Sequence, residues 1–454
     1  MVSLSLLECF KRAATGPMLS EKDFNMMVSK KLMEVVKSHG IKYDRDMLVP
    51  SDDGLADDVF KAAMDFSYEV GTYCMDTERM MEFTEEEVKD AVKNAPRQAL
   101  FGEGKEAKTF IPRKPESKDI PWCHVGAGIV VSSEEIQSRL IEGLATIPNV
   151  YSISPVPLDA IDNVPVKGSH LQFYNSLSFM ATTKKVLTKV GKPGMPLITL
   201  VSACSSPLAT MASTAPQFGM ARSNGWVVPR YPELKIGNDE LCKIAYLLSW
   251  GANIGTEFSP MIGGYSGGPE GTAVATVANC IQGILLKSNY EITWMANIID
   301  GVCSTADALW TSAVSCQAIS RNVSFPHIQC SIEAAGPATK MLLYEIAAVT
   351  LHAVPSGQAS YPHPTRATER DRITPLEMKF SVELSHAAAG MKRKDADDLV
   401  KQVYKKYEPY IKNAPKGKKF QECYDIKTGR IGEEYLEVYN SVKKELRDLG
   451  VPLG

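Results

Sequence analysis

The sequence predicts an α/β protein: a (β/α)8 TIM barrel set between an N-terminal helical cap and a C-terminal helical extension. Three observations lead there. From about Gly126 to His363, short runs of small or β-branched residues alternate with longer amphipathic stretches, the rhythm of a parallel sheet with crossover helices. Eight such runs occur in that span, which fits a closed barrel better than an open doubly wound sheet. The flanking segments carry helical periodicity and no strong strand alternation. The expected boundaries are 1–115 for the cap, 116–380 for the barrel and 381–454 for the extension.

In the cap, Phe24, Met27, Val28, Leu32, Val35 and Val36 recur at helical spacing between Ser20 and Gly40. Thr84 followed by Glu87 is a capping box opening a helix that stops near Pro96. The predicted strands are 128–131, 150–154, 197–203, 226–228, 252–258, 292–298, 327–333 and 358–361. Between them lie helical patterns at 134–145, 171–190, 239–250, 271–287, 304–320 and 338–353. Residues 376–412 and 433–449 read as helices of the extension. There the stretch 392–419 carries ten Lys/Arg against four Asp/Glu. It is either a solvated helical face or a docking edge for an acidic partner.

Composition bounds the function. Fifty basic and 53 acidic residues in 454 leave a net charge of −3, so no overall field favours nucleic acid or an anionic membrane. The first residues lack a secretory pattern and no run of about 18 apolar residues occurs, so a cytoplasmic, soluble protein is expected. The ten cysteines form no CxxC pair and read as reduced, buried thiols.

In a barrel, working groups stand at the C-terminal ends of strands. Those ends carry Ser202, Cys204, Glu257, Asn297, Asp300, Gln329, Ser331, Glu333, Tyr361 and His363. Glu257 stands out because a lone carboxylate in the apolar, Gly-rich string NIGTEFSPMIGGYSGG requires a partner or a role. Five glycines between Gly263 and Gly271 form either a tight βα turn or a loop open to a phosphate or a flat ligand, without Walker or dinucleotide spacing. A zinc site drawn from Cys123, His124, His327, Cys330 and His363 fails on alternation, which puts His327 and Cys330 on opposite faces of one strand, so no metal is expected. None of the seven histidines pairs with a recognisable nucleophile signature, which argues against a Ser–His hydrolase. Lys235 is the one lysine near a predicted strand that could form a Schiff base, and a surface role is the plainer reading. Trp226, Tyr265, Trp294 and Tyr361 could cage an ammonium ion or simply fill the core.

Particular strings go further. Tyr73 to Thr77, Thr84 to Val92, Gly191-Lys192-Pro193-Gly194-Met195, Glu233-Leu234-Lys235-Ile236, Gly263 to Gly268, Ala335-Gly336-Pro337 and Phe420 to Asp425 occur in this order, with Glu434-Tyr435 and Leu446 to Gly450 near the end. Almost end to end, the chain resembles the monomethylamine:corrinoid methyltransferases of methanogenic archaea. The resemblance implies a (β/α)8 barrel, a homohexamer, and transfer of a methyl group from a methylamine to the Co(I) corrinoid of a separate protein docking at the barrel mouth. No tightly bound cofactor is implied; the corrinoid travels with the partner. By the same resemblance Glu257 matches a cavity glutamate, and Gln329, or Cys330 one residue on, matches a cavity glutamine.

Two positions depart from the family. Its pyrrolysine falls at Ile198, and a second cavity acid falls near Val227, both apolar here. The chain therefore looks like a pyrrolysine-lacking relative. Glu257 and Gln329 are the expected catalytic residues, with Ile198, Val227, Tyr265, Trp294 and Glu333 as the substrate wall. A neutral amine leaves poorly in an in-line displacement, whereas a quaternary ammonium needs no activation. The expected donor is accordingly a methylated amine or related N-methyl compound, with a quaternary amine, or a non-catalytic corrinoid-protein binder, as the alternatives.

Overall fold

The computed structural model describes residues 4–126, 128–167, 170–199, 205–215, 217, 220–363 and 369–454. Eight parallel strands build the wall: β1 (His124–Gly126), β2 (Ser152–Ser154), β3 (Ile198–Thr199), β4 (Gly225–Pro229), β5 (Asn253–Phe258), β6 (Tyr290–Thr293), β7 (His327–Ile332) and β8 (Ala359–His363). Strands β3 to β8 form one continuous ladder in chain order. β1 pairs with β2, and Ile153 bridges Leu197 just ahead of β3. The ring closes where β8 meets β1, with the Tyr361 and His124 rings edge to face at 4.3 Å. The wall is TIM-barrel-like.

The first strand differs from expectation. The apolar run at 128–131 looked like a strand, but the ladder with β2 uses His124 to Gly126, and Val131 makes only a single bridge to Leu158. Ile129 and Val131 instead join the core between wall and helices. Likewise the predicted strand 292–298 ends at Thr293. Ala296–Asn297 forms a separate short ladder with Met261–Ile262 beyond the strand ends.

The helices come in chain order. α1 (Leu6–Thr15), α2 (Glu21–Ser38), α3 (Asp53–Val70) and α4 (Glu85–Lys93) precede the barrel. Ser20 caps α2, and Thr84 with Glu87 makes the expected reciprocal box on α4. Around the wall run α5 (Glu134–Ala145), α6 (Leu171–Lys189), α7 (Pro207–Ser213), α8 (Asn238–Trp250), α9 (Pro269–Leu285), α10 (Ala306–Asn322) and α11 (Lys340–Ala353). After β8 come α12 (Pro375–Ala388), α13 (Arg393–Tyr404) and α14 (Glu433–Asp448). α3 packs along α9 and α10, so the N-terminal helices lie on the barrel's flank. Arg321 at the end of α10 fastens them there by bonding Asp53 and Asp57. This segment is not all helix: Thr72–Cys74 pairs in parallel with Lys235–Ile236, a connection between distant segments that local periodicity does not reveal.

A hairpin of Ala99–Phe101 and Lys108–Phe110 closes the N-terminal end of the barrel. Asn253, at the start of β5, donates to the Leu100 carbonyl, and Phe101 packs on Trp122 and Tyr290. Above this plug the interior is lined by Ile198, Val227, Ile292, Ile328, Cys330 and Tyr361. Room for Tyr290 comes from two glycines: a Cβ on Gly255 would sit 2.3 Å from its ring, and one on Gly225 2.5 Å from its hydroxyl oxygen. Gly255→Ala should therefore destabilise the protein by about 1–3 kcal/mol through overpacking. A thermal melt unchanged from wild type would refute that account.

Candidate functional site

Glu257 ends the sequence of inward side chains on β5 and is 9% exposed. Its Oε1 accepts the Trp294 indole N–H at 3.0 Å. Burial pushes its carboxyl up to about 7, with the indole N–H opposing the rise. Such a group is near half ionised at neutral pH and responds to any cation placed beside it.

The backbone of Glu257 is held firmly. Its carbonyl accepts from the Arg230 backbone N–H at 2.7 Å. The Arg230 guanidinium lies over Phe258, 5.0 Å from the ring centroid, and bonds Glu291 at 2.6 Å, with both side chains of that pair fully buried. Thr256 donates to the other Glu291 oxygen at 2.6 Å and accepts from Arg230 at 3.2 Å. The guanidinium also donates to the Gln282 side chain and the Asn279 carbonyl, and such added hydrogen bonds are what make a buried ion pair tolerable in a core, with Arg230 Nε left unpaired among the described residues. It ties β4, β5 and β6 together on the side of the sheet facing away from Ile292 and the barrel interior.

Ile198 and Val227 both face the interior, and both are buried. Trp294 joins them through its contact with Glu257. Other expected members lie elsewhere. Gln329 points out of the barrel toward α10, accepting from Thr293 at 3.1 Å and from the Cys316 thiol at 3.4 Å. Its neighbour Cys330 is the inward residue, with its sulfur 3.6 Å from His363 Nδ1. Alternation separated His327 from Cys330 correctly: His327 bonds outward to Thr293 at 2.6 Å.

Tyr265 is 51% exposed, under the Lys235 ammonium and against α2, where Ser29 donates to its carbonyl. Glu333 is fully buried and accepts from Ser331 at 2.7 Å. Burial pushes its carboxyl well up, and the carboxylate next to it is Glu345, not Glu257. Trp226 faces away from the interior, donating to Ser213 and packing on Trp250. Lys235 pairs with Glu21. Ser202 and Cys204 lie outside the described residues.

The glycine-rich run is a tight turn leading into α9, closed by bonds from Gly263 to Gly267 and from Gly267 to Gly264. Its Gly264-Tyr265-Ser266-Gly267-Gly268 string has the spacing of a nucleophile elbow. Ser266, however, is buried and donates to Glu233 at 2.8 Å, with no histidine bonded to it. No group of three or more His, Cys, Asp or Glu side chains among the described residues could hold a metal ion. The basic stretch is largely committed within the chain. Arg393 is buried and bonds Asp53, Glu116 and Gln317, while Lys392, Lys401, Lys406, Lys416 and Lys418 each pair with an acidic side chain.

A model of the family described as "Monomethylamine methyltransferase MtmB" matches residues 4–451. The chain belongs to the MtmB family. It is 28% identical to the monomethylamine methyltransferases MtmB1 and MtmB2 of Methanosarcina barkeri (strain Fusaro / DSM 804), over 99% of this chain and 98% of each relative. MtmB of Methanosarcina mazei is 27% identical over the same shares. Crystal structures of M. barkeri MtmB and of a hydroxylamine MtmB complex superpose with TM-scores of 0.94 at 26% identity, covering 99% of both chains. MtmB membership carries the methyltransferase class and the TIM-barrel-like fold. No helix among the described residues is long and apolar enough to cross a membrane.

Sequence reading weighed His124 only as a zinc ligand and missed Ser154 and the inward role of Cys330. The place of His124 in the wall went unseen because β1 starts four residues earlier than the apolar run suggests, whereas Ser154 ends the predicted strand 150–154 and carries no charge to mark it. Cys330 was left as an alternative because β7 is buried on both faces.

Proposed function

We propose that the protein moves a methyl group from a methylated amine, or a related N-methyl compound, to the Co(I) corrinoid carried by a cognate partner protein. What supports this reading is a buried carboxylate, Glu257, braced by Trp294 beside the apolar side of the interior that Ile198 and Val227 line, in a chain that matches the MtmB family end to end. In this reaction the C–N bond breaks, the electron pair stays on nitrogen, and Co(I) supplies both electrons of the new C–Co bond. Glu257 holds the cationic nitrogen, Trp294 offers its ring to the ammonium methyls, and Ile198 and Val227 keep water from the methyl group.

The apolar residues at 198 and 227 favour a donor that leaves without further activation, such as a quaternary or otherwise activated N-methyl compound. The test is to mix the protein with a Co(I) corrinoid carrier protein and mono-, di-, tri- and tetramethylated amines while following methyl-Co(III) by absorbance. Methylation from a quaternary donor supports the reading. Equal rates from monomethylamine and every other donor would remove the donor preference, and no methylation from any donor would leave a corrinoid-protein binder.

A fixed-charge ligand isolates the ionisation of Glu257. Its raised pKa means that the carboxylate grows in as pH climbs through about 7. Tetramethylammonium should therefore bind about tenfold more tightly at pH 8 than at pH 6, by the ratio of ionised fractions. Calorimetric titration showing a flat profile would remove the carboxylate from cation binding.

A further inference from the structure

Opposite the aliphatic side of the interior, β1, β2, β7 and β8 present a polar wall that the proposed reaction does not use. His124 and His363 pack on either side of Tyr361, with ring centroids at 4.3 and 4.2 Å. Ser154 adjoins the Tyr361 hydroxyl, and Cys330 contacts His363 Nδ1 while feeling the negative potential of Glu257. All are at least nine-tenths buried.

The partners constrain the proton positions. Ser152 accepts the Trp122 indole N–H at 2.8 Å and stands 2.7 Å from His124 Nδ1. Ser152 Oγ has a second lone pair beyond the one taken by the Trp proton, so this contact fits a proton on either His124 nitrogen. Burial holds the His124 ring neutral, at about 3, so its Nε2 donates or accepts according to which nitrogen carries the single proton. For His363, burial likewise lowers the ring to about 3 and keeps the Cys330 thiol protonated, so the S–H donates to Nδ1 and Nε2 carries the proton. Both Nε2 atoms are buried, and neither finds a partner among the described residues. A donor at His363 and a second unpaired ring nitrogen at His124 on one wall mark a place where a polar group from outside the chain belongs, and an oxygen there can accept from His363.

We infer that the His124–His363 wall binds an uncharged oxygen of the methyl donor, so that the donor is an N-methyl compound bearing a hydroxyl, ether or carbonyl group and not a plain methylamine. The inference rests on the reading of Glu257 as the site of the cationic nitrogen. A carboxylate fits poorly, because the wall holds no cationic side chain among the described residues, Arg230 is committed to Glu291, and Glu257 contributes negative potential at Cys330 and Tyr361.

Isothermal titration of the full chain, without corrinoid, compares pairs that swap a terminal hydroxyl for a methyl group. These are N-methylethanolamine against N-methylpropylamine, and 3-(methylamino)propan-1-ol against N-methylbutylamine, with N-methylglycine as the carboxylate arm. At least one alcohol should bind about tenfold or more tightly than its alkyl partner, since a site built to bond a substrate oxygen discriminates against the analogue lacking it. N-methylglycine should bind no better than the alkyl amines. His363→Phe should bring the alcohol's affinity down to that of its alkyl partner measured in the same variant, with thermal melting as the check on folding. If that variant does not fold, the wild-type pairs decide alone. Alcohols and alkyl amines binding equally at both lengths, or N-methylglycine binding tightest, would overturn the inference. The two readings fail separately. Equal binding with methyl-Co(III) formed sinks only the oxygen site, whereas an alcohol preference with no methyl transfer sinks only the reaction.

Discussion

Glu257→Gln should lower methyl transfer by about 10²–10³-fold while leaving the fold intact, because a buried charge facing a cation is worth about 2–5 kcal/mol when its partner is removed. Gln is nearly isosteric, and its carbonyl oxygen can still accept the Trp294 N–H that now reaches Glu257 at 3.0 Å. The thermal midpoint should stay close to that of wild type, since the substitution replaces a carboxyl that burial already disfavours in its charged form. The pH dependence of tetramethylammonium binding should vanish in the same variant. Methyl-Co(III) formation at the wild-type rate would take Glu257 out of the site.

Arg230→Met carries the largest expected cost to stability. It leaves Glu291 fully buried with the Thr256 hydroxyl as its remaining strong donor, and breaking a buried pair from one side costs about 3–5 kcal/mol. The fall should be visible as a shift of several degrees in the thermal midpoint. Adding Glu291→Gln should recover much of it, because the stranded charge is then gone. Activity should fall further than stability alone explains: the guanidinium covers Phe258 and bonds Thr256, the two neighbours of Glu257 on β5, so the carboxylate loses side-chain bracing on both sides although the backbone bond from residue 230 to its carbonyl remains. A double variant no more stable than Arg230→Met would show that the loss comes from packing over Phe258 instead of from unpaired charge.

The barrel was legible because its signals are local and repeated. Helix α5 falls at 134–145 as periodicity predicts, and α14 within one residue of its expected end. Glu257 was legible for the opposite reason, as one charge in a string that otherwise has none. Facing was harder. β7 is covered by the interior on one side and by α10 on the other, so both sets of side chains are buried and polarity does not mark the cavity side. Gln329 satisfied by Thr293 and Cys316 is the result, and Cys330 one residue later is what faces inward. Tyr265 failed differently. Its position after a strand suggested the mouth, but the turn carries it outward onto α2, a destination set by packing between segments more than 200 residues apart. The basic stretch looked like a docking edge because the acidic residues that neutralise it, Asp53, Glu116, Glu369 and Glu445 among them, are distant in sequence.

The aromatic plug of Phe101, Phe110 and Trp122 closes the N-terminal end of the interior, so a substrate well there is blind on that side. In the proposed reaction the amine, its demethylated product and the corrinoid partner must all use the opposite end. A partner seated over that end traps whatever lies beneath. Turnover should then follow a compulsory order, donor first and demethylated amine last. Initial-rate kinetics would show this as product amine competing with the donor and not with the corrinoid protein, while a random-order pattern would mean that the well has a second exit.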